Sequence, residues 1–162
     1  FMQAELIVIV DTSGSMSARD SRGGKSRYDV ACEELANLQA AHPGRIAVIA
    51  FSNEVQFCPA GVPTCFNGGT NMAKALQFAK IADVSGMRFI LISDGEPDDE
   101  METMRIAKEY RNPISTIYVG PEDRPTGRDF LTRLAKATGG QTVTVDRAQQ
   151  LKDGIERLYL PG

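Results

Sequence analysis

The sequence predicts an α/β domain: a doubly wound, mostly parallel sheet flanked by helices on both faces, with one short antiparallel edge strand. Three observations carry this. Apolar runs of strand length recur along the chain, helical periodicities lie between them, and the runs are continuous rather than alternating. Continuous hydrophobicity rich in Ile and Val is what strands covered on both faces require. Strands alternating with helices in one stretch then imply parallel neighbours joined by right-handed crossovers.

The elements follow in chain order. Leu6 to Val10 is the first strand. Tyr28, Ala31, Leu35 and Leu38 then recur at i, i+3, i+7 and i+10, the apolar face of a helix. That helix ends at Ala41-His42-Pro43-Gly44, where His42 reads as a C-terminal cap or an exposed residue. Ile46 to Phe51 is a second buried strand, and the short run Val55 to Cys58 fits an edge strand, followed by a loop over Gly61 to Gly69. Met72, Leu76 and Ala79 mark the next helix, and Phe89 to Ile92 the next strand. From Asp98 to Tyr110 the spacing places Met101, Met104 and Ala107 on one side of a helix, with Pro97 at its first position and acids in its first turn. Ile114 to Val119 and the weaker Thr142 to Val145 complete the sheet. Thr126 with Asp129, and Asp146 with Gln149, have the spacing of a helix-start capping box. Leu151, Ile155 and Leu158 form the stripe of a last helix.

Composition sets the outer bounds. The 162 residues are 42% hydrophobic and 24% charged, as in an ordinary globular protein, and they fit a single domain over 1–162. A net charge of −3 offers no electrostatic footprint for nucleic acid or an anionic membrane. No apolar run reaches the roughly 18 residues of a membrane span, and no basic segment leads into an apolar one at the start, so the expectation is a cytoplasmic chain. Cys32, Cys58 and Cys65 contain no C-x-x-C pair and have only His42 as a companion, which disfavours zinc; reduced, partly buried thiols are favoured over a Cys58–Cys65 disulfide.

Three loops carry the chemistry. In parallel α/β sheets ligands bind at the carboxyl ends of strands, where strand order reverses. The first strand runs directly into Asp11-Thr12-Ser13-Gly14-Ser15-Met16; the strand ending at Ile92 runs into Ser93-Asp94-Gly95-Glu96; and Gly68-Gly69-Thr70-Asn71 opens a helix. Carboxylates and hydroxyls are the hard oxygens that Mg²⁺ or Mn²⁺ selects, and Mg²⁺ takes only one or two carboxylates. Asp11, Ser13 and Ser15 occupy alternate positions, so an extended turn directs them to one point. Two carboxylates balance a divalent charge without exceeding it. Such an ion stays electrophilic and favours a carboxylate from outside at an open position.

At these residues the sequence resembles the von Willebrand factor type A (vWA) domains that carry a metal-ion-dependent adhesion site, whose motif is Asp-x-Ser-x-Ser, then Thr, then Asp. The resemblance runs over the whole chain through Asp11, Ser13, Ser15, Thr70 and Asp94. It implies a Rossmann-like vWA fold and a non-enzymatic, Mg²⁺- or Mn²⁺-dependent protein-binding module, with Ca²⁺ a poorer fit and no catalytic residue. It further implies a protein partner that offers an acidic residue. Prokaryotic relatives of this kind work beside ATPases or in stress-response complexes, so a multi-subunit assembly with an ATPase is one expectation. Met16, Arg19, Arg22, Lys25, Asn71 and Glu96 are candidates for the partner-facing rim.

Blander readings stand beside these. Asp11, Ser13 and Ser15 taken singly are turn residues and local hydrogen-bonders. The acids Glu96, Asp98, Asp99, Glu100 and Glu102 more simply complement a helix dipole than form a second cation site. Gly23-Gly24-Lys25-Ser26 resembles the tail of a phosphate-binding loop but lacks the required Gly at Arg19 and does not follow a strand, so it reads as a loop. No Gly-x-Ser-x-Gly elbow supports a serine hydrolase. Two alternatives remain: a metal-dependent phosphohydrolase using Asp11, which would want Asp where Ser13 stands, and a structural subunit whose metal only rigidifies the loops.

Overall fold

The computed structural model describes residues 5–12, 22–42, 45–52, 55–58, 71–84, 86–93, 99–119, 125–144 and 153–155. Six strands form one sheet: β1 (Leu6–Asp11), β2 (Ile46–Phe51), β3 (Val55–Cys58), β4 (Arg88–Ser93), β5 (Ile114–Tyr118) and β6 (Thr142–Thr144). Their order is β3-β2-β1-β4-β5-β6. All neighbours are parallel except β3, which pairs antiparallel with β2 at the edge. Among the described residues the helices α1 (Arg27–Ala41), α2 (Met72–Ala79), α3 (Glu100–Ala107) and α4 (Pro125–Thr138) accompany them, and residues 153–155 are helical as well. The expected doubly wound architecture is therefore present, antiparallel edge included.

Two apolar layers enclose the sheet, and the strand alternation sorts residues between them. Leu6, Val8 and Val10 point with Val48, Ile90 and Ile92 toward α1, whose Val30, Ala31, Leu35 and Leu38 are buried; Ile155 joins this layer. Ile7 and Ile9 point the other way with Ile49, Phe51, Phe89 and Leu91, against Met72, Leu76, Ile106, Phe130 and Leu134 of α2, α3 and α4. Every residue of β1 and β2 is buried, which is why these runs are apolar throughout.

Several expectations need correction. α3 starts at Glu100, not at Pro97: Asp99 is extended (φ −136°) and its side chain accepts from the Glu102 N–H at 3.0 Å, making it the N-cap. Met101 is 85% exposed instead of facing the core. The buried stripe of α3 runs through Thr103, Ile106 and Ala107 and continues to Tyr110, so Met101 falls on the opposite side. It lines a shallow groove of about 590 Å³ between α3 and α4 with Met104 and Phe130. Similarly, α4 begins at Pro125, whose fixed φ suits a first helical position, so Thr126 lies inside the first turn and is not its cap. Pro97, Val145, Asp146, Gln149, Leu151, Leu158 and Cys65 lie outside the described residues. His42 is the C-cap of α1, with its backbone N–H on Leu38 O. Ser26 is the N-cap of the same helix, accepting from Asp29 N–H at 2.9 Å. Cys32 is half-buried and takes part in no disulfide.

The turn after α4 is built on Gly139-Gly140. Gly139 has φ +83°, Gly140 N–H reaches back to Ala135 O at 2.8 Å, and Gly139 N–H reaches Lys136 O at 3.3 Å, the two bonds of a Schellman motif. A Cβ at Gly139 meets open space, whereas one at Gly140 lies 2.2 Å from the Ile114 carbonyl oxygen of β5. The two glycines thus have different reasons to be glycine. Gly140→Ala is expected to destabilise the fold by about 3 kcal/mol, because backbone must move, and Gly139→Ala by about 1 kcal/mol, the cost of a left-handed residue. Urea unfolding of both variants checks the ranking, which equal losses would contradict.

Tyr110 joins the helix layer to the sheet. Its hydroxyl donates to Leu76 O at 2.5 Å and its ring meets Phe89 edge-on at 5.0 Å. Burial, with the Asp83 carboxylate adding to it, pushes its phenol above the ordinary range. An unfolded tyrosine titrates near pH ~10, so the neutral ring stabilises the fold fully below that pH and progressively less above it. Tyr110→Phe is expected to lose about 1 kcal/mol at pH 8 and to show a shallower stability decline above pH ~10 than wild type. Parallel declines in the two proteins would refute this.

Candidate metal centre

In this strand order the chain leaves β1 toward β2 on one side and leaves β4 toward β5 on the other. The carboxyl ends of β1 and β4 therefore flank the switch point, where a crevice opens between diverging loops. β1 ends in Asp11 and β4 ends in Ser93. Their register runs from Leu6 opposite Arg88 to Val10 opposite Ile92, so Asp11 and Ser93 are the next pair and point to the same face. The Ser93 hydroxyl donates to Asp11 Oδ2 at 2.7 Å across 82 residues of sequence, and both residues are 0% exposed.

The flanks of the other loops are tied to the same end of the sheet. Thr12 donates both its backbone N–H (2.8 Å) and its Oγ1 (3.0 Å) to Phe51 O, fixing the exit from β1 against the last residue of β2. The next residue of that strand's exit, Ser52, accepts the Asn71 N–H at 2.7 Å. Asn71 in turn caps α2, its Oδ1 accepting from Lys74 N–H at 3.1 Å. On the far side Ser93 O accepts from Val119 N–H at 3.0 Å. Hydrogen bonds thus draw one flank of each of the three predicted loops, at Thr12, Asn71 and Ser93, to one edge.

Of the predicted ligands, Asp11 is placed at this edge; Ser13, Ser15, Thr70 and Asp94 lie outside the described residues, each directly adjoining one of the tied flanks or, for Ser15, two residues further along. Met16, Arg19 and Glu96 of the predicted rim also lie outside them. Arg22 belongs to a short 3₁₀ turn, Arg22–Gly24, that leads toward α1. Lys25 forms an exposed ion pair with Glu33 of α1, and Asn71 is a helix cap, so both rim candidates already have local roles. Of the acidic run, Asp99 caps α3 while Glu100 and Glu102 pair with Arg133 and Arg105, in keeping with a solvated first turn. Among the described residues no three His, Cys, Asp or Glu side chains converge on a metal position. The donor chemistry nonetheless fits a hard cation: a buried carboxylate at the switch point, flanked by loops whose sequence supplies hydroxyls and a second carboxylate.

Sequence reasoning missed Ser93 as part of this arrangement. The available signal was a polar residue closing the apolar run Phe89-Ile90-Leu91-Ile92.

A double-mutant cycle in EDTA with Asp11→Ala, Ser93→Ala and the pair is expected to give a coupling of about 1–2 kcal/mol in unfolding free energy. Additive single effects would mean that the two side chains do not interact.

Solved structures share this fold. An aerotolerance-related membrane protein from Bacteroides fragilis superposes with a TM-score of 0.75 at 16% identity, covering 98% of this chain and 100% of that one. A von Willebrand factor type A protein from Catenulispora acidiphila gives 0.72 at 18% identity over 94% of this chain and 41% of that one. The manganese-loaded TRAP protein of Plasmodium vivax gives 0.66 at 14% identity over 96% and 73%. No protein-family model matches the sequence, and a search of curated proteins returns no match.

Proposed function

The fold is that of von Willebrand factor type A domains, and we propose that this chain is a metal-dependent protein-binding module of that kind. Asp11, Ser13, Ser15, Thr70 and Asp94 would hold one Mg²⁺ or Mn²⁺ at the switch point. The observation that carries the reading is the buried Asp11–Ser93 hydrogen bond between the ends of β1 and β4, with the third loop's flank tied beside it through Phe51, Ser52 and Asn71. A structure that superposes on this chain is named as manganese-loaded, which supports a divalent ion on this fold.

When bound, the ion supplies a Lewis acid. Asp11 and Asp94 with the hydroxyls of Ser13, Ser15 and Thr70 would balance a divalent charge without exceeding it, which would leave affinity for a partner's Asp or Glu. Met16, Arg19, Arg22, Lys25, Asn71 and Glu96 are proposed to frame that contact, in an assembly that includes an ATPase. The module is proposed to be non-catalytic. The sole histidine, His42, caps α1 where Arg45 N–H bonds to its carbonyl, at the amino end of the sheet and so opposite Asp11. A hydrolase reading would use Asp11 as a nucleophile, but Asp11 is fully buried and engaged by Ser93.

Mg²⁺ at about one hundred times its dissociation constant is expected to stabilise the wild-type fold by about 2.7 kcal/mol. Asp11→Ala and Thr70→Ala are expected to lose that gain and, in pull-downs, the difference in captured partner between Mg²⁺ and EDTA. Calorimetric titration is the direct check: equal Mg²⁺ binding by wild type and Asp11→Ala would end the proposal.

A further inference from the structure

We infer that the groove between α3 and α4 is a docking site for an amphipathic helical segment of a protein partner, one that carries apolar residues and, about two turns along, a carboxylate. The site is separate from the metal centre and does not depend on it.

The groove is built by a second stripe on α3. Thr103, Ile106, Ala107 and Tyr110 bury one face of the chain there. Met101, Met104 and Lys108 stand at i, i+3 and i+7, and Lys108 keeps helical backbone at the C-cap, so the three share another face. All three line the groove, with Phe130 and Arg133 of α4 across from them. Exposed apolar side chains scattered singly are ordinary. Here Met101, 85% exposed, shares one depression of about 590 Å³ with Met104 and Phe130. Unbranched thioether side chains repack readily around an apolar partner. A groove this shallow leaves a small molecule largely in water, whereas an amphipathic helix laid along it covers it with its own i, i+3 and i+7 residues. From Met101 to Lys108 the stripe spans about 10 Å of helix, which matches two turns of such a segment.

Charge selects the occupant. The chain is acidic overall, with a net charge of −3, yet the groove's unanswered charge is positive. Glu100 pairs with Arg133 at 3.3 Å, Glu102 with Arg105, and Glu109 with Lys80 and, at 3.0 Å, with Arg105. The Arg133 guanidinium also lies 5.5 Å from the centroid of the Phe130 ring. Exposed Lys108 has no ion pair among the described residues. A lysine at a helix C-terminus complements the dipole, but the dipole does not account for the methionine stripe that leads to it. The complementary surface is therefore apolar opposite Met101 and Met104 and acidic opposite Lys108.

The test uses a synthetic helix-forming peptide with Leu at i and i+3 and Glu at i+7, and a twin in which Lys replaces that Glu. Each is titrated into protein carrying ¹³C-methyl methionine, and the methyl NMR signals are followed. The Glu peptide is expected to shift the Met101 and Met104 signals saturably, to spare Met72 and Met87, and to bind equally in Mg²⁺ and in EDTA. Met101→Glu, at an exposed position, is expected to weaken it roughly 10-fold or more. Lys108→Glu is expected to weaken it about 5-fold and to strengthen the Lys twin. Circular dichroism confirms that both variants are folded. Absence of a saturable shift at Met101 and Met104, or equal binding of the two peptides, overturns the inference. Binding that requires Mg²⁺ would place the peptide at the metal centre and also overturns it. Shifts of the same two signals with protein concentration alone would assign the groove to a second copy of the chain instead.

Discussion

The pairing of β1 with β4 is the constraint on which the rest of the molecule depends. It brings residues more than eighty positions apart into register and creates the switch point where the strand order turns. A slip of one residue would reverse both faces of β1, driving Leu6, Val8 and Val10 into the space of Ile7 and Ile9. It would also set Ile92 beside Asp11 in place of Ser93. Because both layers are apolar and packed, that slip is heavily penalised, and the core enforces the alignment that the polar pair needs.

The polar contacts at the carboxyl edge are the complement of that core. A buried carboxylate is costly without partners, and Asp11 meets that cost through Ser93 where two buried strands end. Thr12, Ser52 and Asn71 bind the neighbouring backbone, so the loops that follow emerge from a rigid base. Functional groups on loops held by a rigid scaffold can vary in chemistry while their anchor points stay put. At the opposite edge the Asp83 carboxylate accepts from the backbone and side chain of Asn112, and Thr138 spans to both backbone groups of Ile114. Those contacts close turns and carry no comparable convergence of ligand types.

Much of the architecture was legible in the sequence because two-sided burial leaves an unambiguous trace. The runs at Leu6, Ile46, Phe89 and Ile114 each became a central strand, and the weaker Val55 run became the edge. Helix faces were legible where apolar residues dominate the stripe, wholly in α2 and in α1 with Arg27 and Glu34 buried beside Val30, Ala31, Leu35 and Leu38. In α3 the stripe includes Thr103, a polar residue whose hydroxyl bonds to Asp99 O at 2.7 Å, and apolar periodicity read past it to Met101. Caps were mixed. Ser26 with Asp29 has a readable spacing, whereas Gly140 is dictated by the approach of the Ile114 carbonyl, which no local pattern contains. Asp11 was legible as a site residue from its place at a strand end. Ser93 was not, because its role depends on which strand lies next to β1.

The central claim is that a divalent cation binds at the carboxyl ends of β1 and β4. Paramagnetic broadening of amide NMR signals on adding substoichiometric Mn²⁺ tests it most directly. The account predicts selective loss of the Thr12, Asn71 and Ser93 amide signals, with Leu6 and Gly140 at the far edge spared and Mg²⁺ in excess restoring the spectrum. Broadening centred elsewhere, or none that Mg²⁺ reverses, would contradict it.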